Sequence, residues 1–434
     1  MIRADAVIAA ASQVLTCGGP IPKRGPALRD VGLIERGWIA GRDGRIVFIG
    51  TEDAFRRQVE VEPGAVRIDA AGLVVLPGFV DSHTHLPFGG TREEEFALRI
   101  QGWTYRQLAE KGLGIKSTVR TTRRMSKAEL KALCLKRLDS MLLHGTTTVE
   151  AKSGYGLNLE DEIKQLEAVR EAAGEHSIDI IPTFMGAHEV PDEYRGRKEE
   201  YIDFLMGTVL PRVRELGLAR FVDVFCEEGV FSVAETERMA QAAAAAGFGI
   251  KIHADEFAPL GGAELAVRVG AVSADHLIAV TDRGIAALAG SHTAATLLPN
   301  VSFFLMQERK APARRLIEAG AAVALASDFN PGSSMTENMV FVLQLGVFLL
   351  GLTIEEAINS VTANGAYAVR ADAGAGSLEV GKKMDVVLCD VPNYYFLAYH
   401  PGVNPVRHVF KNGRLVVSDK HQVVDGGGRN VNSP

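Results

Sequence analysis

The sequence predicts an α/β protein: a (β/α)8 TIM-type barrel with a small discontinuous β-sandwich domain built from both termini. Strand-like and helix-like segments alternate through the middle of the 434-residue chain, as in a parallel sheet covered by helices. About eight such units occur, over a length that suits a barrel. Both ends of the chain instead carry short strand-like segments separated by glycine-rich turns, which indicates a second, β-rich unit.

The alternation in the middle can be followed segment by segment. Strands are predicted at Leu73–Val80, Thr146–Ala151, Asp179–Phe184, Phe221–Phe225, Phe248–His253, Ala271–Ala274, Thr293–Leu298 and Ala321–Ala326. Helices are predicted at Lys127–Leu143, Asn158–Ala173, Glu199–Leu216, Val233–Ala246, Leu260–Val269, Asp282–Leu288 and Ala311–Ala319. An open doubly wound sheet would show the same alternation. Polar residues at so many strand ends favour a closed barrel, because closure gathers all strand ends around one mouth.

The two flanks are predicted to form one discontinuous domain. Strand-like segments occur at Ala6–Leu15, Arg36–Ala40 and Arg45–Ile49 near the start of the chain, and at Asp385–Asp390, Val406–Lys411 and Arg414–Ser418 near its end. Neither flank is long enough for a secure core of its own. We therefore expect residues 1–72 and 375–434 to pair as a β-sandwich, with the barrel at 73–374.

Composition limits the classes of partner and compartment. The net charge of −6 and the isoelectric point near 6.0 give no basic footprint, so a nucleic-acid partner is not expected. The four cysteines (Cys17, Cys134, Cys226 and Cys389) are widely spaced. This usage suits a reducing compartment, and we expect a cytoplasmic protein.

Two apolar stretches resemble targeting or membrane segments, but each has a better explanation. Ala6–Cys17 is interrupted by Gln13 and follows a single arginine, so a core strand is favoured over a signal peptide. Asn338–Ile354 is shorter than the ~20 residues needed to cross a bilayer and contains Gln344. It predicts a buried helix, and no membrane association is expected.

Histidine and aspartate residues at the predicted strand ends form a candidate metal site. His83 and His85 are two positions apart, which places them on one side of an extended chain. His253, His276 and Asp328 follow other strands. Taken singly, each histidine is more often a hydrogen-bonded residue and the aspartate a helix or turn cap. Their joint occurrence at one predicted barrel mouth favours a metal ion.

These residue types suit hydrolysis. Neutral imidazoles leave Zn²⁺ or Fe²⁺ strongly Lewis acidic and lower the pKa of a coordinated water to about 7. Asp328 can both touch the ion and accept a proton from water. The segment Phe221–Phe231 (FVDVFCEEGVF) contains no lysine that could be carboxylated to bridge a second metal. We therefore expect one divalent ion, zinc or iron, a choice that the ligand types leave open.

Longer strings carry a family resemblance. They are PGFVDSHTHLPFGGTR at Pro77–Arg92, SGYG at Ser153–Gly156, MGAHEVP at Met185–Pro191, KIHADE at Lys251–Glu256 and SDFNPGSS at Ser327–Ser334. The ligand pattern resembles the amidohydrolase superfamily, and the strings in this order resemble the imidazolonepropionase family within it, from about residue 5 to 420. Ser82 and Trp103 depart from the family pattern, at positions that are not candidates for the chemistry.

The resemblance implies metal-dependent hydrolysis of the cyclic amide of 4-imidazolone-5-propanoate to N-formimidoyl-L-glutamate, in histidine degradation. It implies that the metal ligands are His83, His85, His253 and Asp328, and that the catalytic residues are Asp328, His276 and Glu256. The residues implied to bind substrate are Arg92, Tyr155, His188, Glu256, Asn330, Gly332 and Ser333. The division of proton transfers among Glu256, His276 and Asp328 stays open.

Several of the implied substrate contacts make independent chemical sense. Arg92 can form two parallel hydrogen bonds with a carboxylate, although an ion pair with Glu93–Glu95 is an equal alternative. Tyr155 lies between two glycines, and Gly332 allows close backbone approach. Asn330, which precedes a proline, suits a turn equally well.

Two other functions remain open at this stage. A different mononuclear amidohydrolase, acting on a nucleobase or a cyclic imide, would offer Arg92 no carboxylate. A non-catalytic barrel scaffold is disfavoured because all four candidate ligands are present. We expect a small carboxylate substrate with an imidazolone ring as the partner and, from the large apolar helix content, a homodimer.

Overall fold

The protein is described by a computed structural model that covers residues 1–103, 107 and 111–423. Its first sheet takes strands from both ends of the chain. These strands are β1 (Ile2–Leu15), β2 (Leu33–Arg42), β3 (Arg45–Thr51), β4 (Val59–Asp69) and β5 (Val74–Pro77). The mixed sheet also contains β14 (Val386–Cys389), β15 (Val406–Lys411), β16 (Arg414–Ser418) and β17 (His421–Gln422). The predicted discontinuous β-domain is therefore confirmed; positions 424–434 of its expected range lie outside the described residues.

The order of strands in this sheet explains why both termini are needed. It runs β17-β16-β15-β14-β5-β1-β2-β3, with β4 also paired to β1. The junction between the two ends of the chain is the antiparallel pairing of β14 with β5, in which Val386 lies opposite Pro77. Apolar residues of β1–β3 share one hydrophobic cluster with those of β5, β14 and β15, including Ile39, Val75 and Phe410. Neither flank could complete this core alone.

Eight parallel strands form the barrel. They are β6 (Phe79–Asp81), β7 (Thr146–Lys152), β8 (Asp179–Ala187), β9 (Phe221–Cys226), β10 (Gly249–Ala254), β11 (Ser273–His276), β12 (Ala294–Leu297) and β13 (Ala322–Leu325), paired in chain order. Hydrogen bonds just beyond β6 and β13 join the first strand to the last: the Asp328 N–H donates to the His83 carbonyl, and the His85 N–H to the Phe329 carbonyl. The barrel, and not the open sheet, is confirmed.

The side chain of Asp81 strengthens this closure. Its carboxylate accepts hydrogen bonds from the backbone N–H of Ser327, at 3.0 Å, and from the Ser327 hydroxyl, at 2.5 Å. Asp81 and Ser327 are both fully buried. The closing contact thus brings the His83–His85 segment beside Asp328, which is the step that assembles the site.

Helices cover the outside of the barrel and the ends of its strands. The α-helices are Glu52–Gln58, Glu93–Ile100, Ile115–Arg124, Lys127–Leu143, Leu159–Glu175, Lys198–Phe204, Leu210–Glu215, Val233–Ala245, Gly262–Arg268, Asp282–Leu288, Pro299–Phe304, Ala313–Glu318, Met339–Leu350, Ile354–Val361, Ala363–Tyr367 and Phe396–Tyr399. A π-helical turn spans Leu205–Val209, and 3-10 turns span Gly25–Arg29 and Asp192–Tyr194.

Local signals explain why several helices begin where the sequence predicts. Ser126 and Glu129 form a capping box at the start of Lys127–Leu143, a helix whose predicted bounds are confirmed. Ser232 and Glu235 form another before Val233–Ala245. The helical stretch predicted over Glu199–Leu216 is confirmed, and a π-helical turn at Leu205–Val209 forms its middle.

The strand predicted over Leu73–Val80 is also divided. Val74–Pro77 pairs within the terminal sheet, and the first barrel strand begins at Phe79. The chain passes from one sheet to the other at Gly78, where an added Cβ would lie 2.1 Å from the Thr147 hydroxyl oxygen. An apolar run cannot reveal this division, because both halves are buried. The domain boundary at residue 72 remains a prediction.

Among the helices that the structure describes, none has the length and apolar character to cross a bilayer. The uncharged stretch that begins at Asn338 forms Met339–Leu350, a 12-residue helix in which most side chains are buried. Asn338 caps this helix by accepting hydrogen bonds from the Val340 and Phe341 N–H groups. The prediction of a buried helix is confirmed.

Candidate metal centre and active site

A cavity of about 680 Å³ opens at the carboxyl ends of the barrel strands. Of the sequence-predicted site residues, those that line it are His85, Arg92, Tyr155, His188, His253, Glu256, His276, Asp328, Asn330, Gly332 and Ser333. The remaining one, His83, is fully buried and close to three of the lining histidines, with ring centroids 4.5–5.5 Å apart. The structure therefore brings all twelve together.

The potential ligands converge around His83. A ring nitrogen of His83 groups with ligand atoms of His85 and Asp328, and also with those of His253 and His276, each set lying within 4.8 Å. The Nε2 atoms of His83 and His85 are both 3.3 Å from Oδ1 of Asp328. Such a cluster of nitrogen and carboxylate atoms has the composition of a hydrolytic metal site.

Unpartnered polar atoms test whether an ion fits here. His83 Nε2, Asp328 Oδ1 and both ring nitrogens of His276 are buried and have no hydrogen-bond partner within the described part of the chain. Buried polar atoms without partners are costly and uncommon in folded proteins. A cation bound at this point would satisfy His83 Nε2 and Asp328 Oδ1 together, so the donor set fits a metal ion.

Two candidate site residues at the strand ends have an unusual backbone conformation. His276 has φ of 78° and Asp328 has φ of 52°, values that place both in the left-handed region. Residues other than glycine adopt this region at an energetic cost and are often found there at functional sites. In this conformation both side chains line the cavity.

Carboxylates behind the histidines set their orientation. Nδ1 of His83 lies 2.7 Å from Oδ2 of Asp275, and Nδ1 of His253 lies 3.1 Å from Oδ1 of Asp223. A histidine that donates from one ring nitrogen presents the other as a ligand. The two pairs therefore leave Nε2 of each ring available for a metal.

Two lysines neutralise these carboxylates. Lys152 Nζ lies 2.8 Å from Asp223 and 2.6 Å from Glu150. Lys251 Nζ lies 3.4 Å from Asp275. All five side chains are fully buried. This group, which we call the lysine–carboxylate network, supports the histidines from inside the barrel.

The charged groups around His83 and Asp328 favour positive charge at this point of the cavity. Burial and Lys152 lower the pKa of His83, but its contacts with Asp275 and Asp328 outweigh them and raise it to about 9. Burial raises the pKa of Asp328, yet the nearby imidazoles of His83 and His85 hold it well below its usual value. His85 is different: burial lowers its pKa to about 4, which keeps the ring neutral.

Glu256 and His276 stand together at the cavity wall, with Oε2 of Glu256 3.5 Å from Nε2 of His276. Burial, with the negative charges of Asp328 and Glu227, raises the pKa of Glu256 well above its usual value. Burial also lowers the pKa of His276 well below 6.5. Burial thus favours the protonated form of Glu256 and the neutral form of His276, which sets a potential proton donor beside an acceptor.

Arg92 lines the cavity and forms the ion pair that was the alternative to a substrate contact. Its Nε and Nη2 atoms donate to the two carboxylate oxygens of Glu95, at 2.9 and 2.5 Å. The pair is largely buried, with side-chain exposures of 14% and 5%, and Gly114 N–H also donates to Glu95. Glu95 thus holds Arg92 at the cavity wall.

Tyr155 and His188 lie against the candidate metal ligands His85 and His253. The ring of His188 stacks on His85, with centroids 4.9 Å apart and planes 20° apart, and its Nδ1 lies 3.0 Å from the Gly154 carbonyl oxygen. The loop that carries Tyr155 is held by Glu162, whose carboxylate accepts hydrogen bonds from the N–H groups of Gly154, Gly156 and Leu157.

The last loop is organised by Asn330. Its side-chain oxygen accepts hydrogen bonds from the N–H groups of Gly332 and Ser333, and its amide nitrogen donates to the Asp328 carbonyl oxygen. The predicted turn role is therefore present. Gly332 has no room for a side chain, since a Cβ there would lie 2.3 Å from Nη1 of Arg92.

Comparison with known proteins agrees with this geometry. The family model described as "Amidohydrolase family" matches residues 74–416. The chain belongs to the amidohydrolase family. Within it, the chain is 52% identical over 416 residues to an imidazolonepropionase of Symbiobacterium thermophilum, covering 96% of this chain and 98% of the relative. An imidazolonepropionase of Porphyromonas gingivalis is 48% identical, with 94% and 96% covered.

Solved structures show the same amidohydrolase fold at low identity. A triazine hydrolase variant superposes with a TM-score of 0.76 at 18% identity, covering 97% of this chain and 96% of that one. An adenosine deaminase from Xanthomonas campestris, solved with bound zinc, gives a TM-score of 0.70 at 18% identity, covering 97% and 95%. The predicted barrel with its small β-domain is the architecture that these proteins share.

Some residues of this amidohydrolase site were missed by sequence reasoning. Asp223, Asp275, Lys152 and Lys251 support the ligands from the barrel interior, and Arg99 lines the cavity. A signal existed for Asp223 and Lys251, because each is a charged residue inside a strand that is otherwise mostly apolar. No comparable signal marks Arg99, which lies on an exposed helix beside other charged residues.

Proposed function

We propose that this chain hydrolyses the cyclic amide of 4-imidazolone-5-propanoate to N-formimidoyl-L-glutamate in histidine degradation. It is a hydrolase acting on a carbon–nitrogen bond of a small cyclic amide. The observation that carries the proposal is the near-full-length identity of about half to imidazolonepropionases of several organisms. The cavity is consistent with this function, because a cluster of potential metal ligands and an arginine both lie at its lining.

The proposed metal ligands are His83, His85, His253 and Asp328. They would hold one divalent ion, zinc or iron, since imidazole and carboxylate suit both. When bound, the ion would polarise the ring carbonyl and lower the pKa of a water molecule. The two carboxylates behind His83 and His253 would keep each ring in the orientation that the ion requires.

Proton transfer is proposed for the residues that surround this cluster. Asp328, which stays ionised, can accept a proton from the attacking water. Glu256, whose burial favours the protonated carboxyl group, can deliver its proton to the ring nitrogen as the carbon–nitrogen bond breaks. His276, neutral and 3.5 Å from Glu256, can donate a hydrogen bond to the carbonyl oxygen or orient the water.

Substrate binding is proposed for other residues that line the same cavity. The flat ring would lie against His188 and Tyr155, whose ring centroids are 5.2 Å apart. Arg92, fixed by Glu95, would contact the propionate. Ser333 and the backbone of Gly332 would border the same end of the substrate, since both line the cavity beside Arg92.

A direct assay tests the proposal. Purified protein of known metal content is mixed with freshly prepared 4-imidazolone-5-propanoate, and the decay of its absorbance is followed by stopped flow. We expect rapid conversion to N-formimidoyl-L-glutamate, abolished by a chelator and restored by zinc or iron. Decay at the uncatalysed rate by metal-replete protein would refute it, and neutral cyclic amides and nucleobases would then be assayed in the same way.

A further inference from the structure

Glu256 lies in a short segment that is fixed on both sides, first at Asp255. The φ angle of Asp255 is 51°, in the left-handed region that costs a residue other than glycine energy. Its buried carboxylate accepts hydrogen bonds from three N–H groups at the start of the helix Gly262–Arg268, those of Gly261, Gly262 and Ala263. Asp255 therefore fixes the chain directly before Glu256.

Glu227, directly after β9, fixes the chain on the other side of Glu256. Its Oε2 accepts a hydrogen bond of 2.9 Å from the Phe257 N–H, and its Oε1 accepts one of 3.1 Å from the Ala258 N–H. Phe257 and Ala258 are the two residues that follow Glu256 in the chain. Hydrogen bonds from backbone N–H groups to a carboxylate are stronger than those between neutral groups.

Glu227 is itself held firmly at the end of its strand. Its N–H donates to the Phe231 carbonyl oxygen, and its own carbonyl oxygen accepts from the Val230 N–H. Its Oε1 also accepts a hydrogen bond of 2.8 Å from the Glu228 N–H. The residue is only 3% exposed. Glu227 thus connects the segment after Glu256 to a rigid part of the barrel.

Side-chain packing gives this segment little support. Phe257 is 54% exposed although it borders the cavity, and Ala258 is only partly buried. A segment that buries little apolar surface depends on its hydrogen bonds to keep its position. Glu256, in contrast, is buried, with Oε2 3.5 Å from Nε2 of His276. A shift of the backbone after Glu256 would therefore move its carboxyl group relative to His276.

We propose that Glu227 is a positioning residue: its carboxylate holds the backbone of Phe257 and Ala258, and thereby keeps the carboxyl group of Glu256 beside His276 at the cavity wall. This inference rests on the proposed function, because it concerns the residue proposed to protonate the leaving nitrogen. It also gives a role to the end of β9, which contributes none of the proposed metal ligands.

A double-mutant cycle tests the proposal. Glu227→Gln keeps the size of the side chain but has one acceptor oxygen, so at least one N–H of the segment loses its partner. We expect kcat for 4-imidazolone-5-propanoate to fall about 10- to 100-fold while KM stays within about threefold. In the Glu256→Gln background the same change should cost less than about twofold, because no proton donor is left to misplace. Glu215→Gln, at a side chain that is 66% exposed on the helix before β9, is the control.

Hydrogen exchange measures the contact without turnover. In metal-loaded Glu227→Gln we expect the amides of Phe257 and Ala258 to exchange about tenfold faster than in wild type or in the Glu215→Gln control. Glu227→Asp keeps the negative charge but shortens the side chain. It should show the same faster exchange and a similar loss of kcat, and it provides the same comparison if the glutamine variant does not fold.

An equal loss of kcat from Glu227→Gln in both backgrounds would assign Glu227 a general structural role and overturn the proposal. Unchanged exchange at Phe257 and Ala258 would also overturn it, as would wild-type kcat in Glu227→Asp. Failure of the wild-type protein to hydrolyse 4-imidazolone-5-propanoate would refute the proposed function. The exchange rates would still decide whether Glu227 holds the segment that carries Glu256.

Discussion

Nδ1 of His83 lies 2.7 Å from Oδ2 of Asp275, although the two residues are 192 positions apart in the chain. Both side chains are completely buried. The contact leaves Nε2 of His83 directed at Asp328, 3.3 Å away. A carboxylate placed behind a histidine in this way determines which ring nitrogen is free to bind a metal. The orientation of His83 therefore depends on a strand on the other side of the barrel.

Asp275→Asn should weaken metal binding. The amide keeps the shape of the side chain but removes the negative charge that holds the His83 Nδ1 proton, so we expect about 10- to 100-fold lower metal affinity. Competition with a chelator of known affinity measures this. The control is Asp43→Asn, between β2 and β3, where the aspartate side chain is 88% exposed. Unchanged metal affinity in the Asp275 variant would show that His83 needs no such support.

Lys152→Met should destabilise the fold strongly. The change leaves Glu150 and Asp223 charged and buried without their shared cation. Removing one partner from a buried ion pair costs about 3–5 kcal/mol in the free energy of unfolding. Urea denaturation of the metal-free protein measures the effect. Lys127→Met, which breaks ion pairs of a 40% exposed side chain, should cost about 1 kcal/mol or less. Similar losses in the two variants would contradict this account of the network.

Glu256→Gln should reduce kcat by about 10²- to 10⁴-fold with little change in KM, because an amide cannot deliver a proton to the leaving nitrogen. Metal content should stay at the wild-type level, since Glu256 is not a proposed ligand. Steady-state kinetics with 4-imidazolone-5-propanoate, together with metal analysis of the same preparation, checks both points. A large rise in KM at constant kcat would instead assign Glu256 to substrate binding alone.

The contact between barrel and small domain should respond to acid. Asp179 at the start of β8 accepts hydrogen bonds of 2.6 Å from both Lys383 and Lys411. Burial raises the pKa of Asp179, but Lys411 and Lys383 outweigh it and hold the pKa below its ordinary value. Because the folded-state pKa is depressed, the stabilisation is present above the unfolded-state pKa of about 3.9 and is lost as pH falls through the folded-state value.

Asp179→Asn tests that linkage. We expect a lower urea midpoint than wild type at pH 7, and a difference between the two proteins that shrinks as the pH is lowered below about 4. The surface substitution Asp43→Asn should show no such convergence. A difference that stays constant with pH would mean that Asp179 contributes through packing and not through its charge.

Much of the site could be predicted from the sequence because its signals are local. His83 and His85 share a short segment, and Asp328 and Asn330 share another; each follows a buried strand, where side chains reach the mouth of a barrel. Helix bounds such as Lys127–Leu143 follow from a capping residue and a polar–apolar pattern within the segment itself. These features are determined by residues that are close together in the chain.

Other features depend on residues far apart in the chain. The division of the predicted strand at Gly78 follows from pairing with β1 and β14 on one side and β7 on the other. The hydrogen bond from Nη1 of Arg99 to the Gly332 carbonyl oxygen joins residues 233 positions apart. No periodicity in the sequence predicts this contact.

By itself, the sequence determined the alternation of strands and helices and the β-rich ends, because each follows from local side-chain chemistry and spacing. Histidine and aspartate residues at strand ends, together with the family resemblance, indicated the candidate site residues. Only the tertiary structure decided that Asp223 and Asp275 lie behind His253 and His83, and that two lysines neutralise those carboxylates. The physical reason is closure of the barrel: it brings side chains from separate strands into one dry interior, where each buried charge requires a partner.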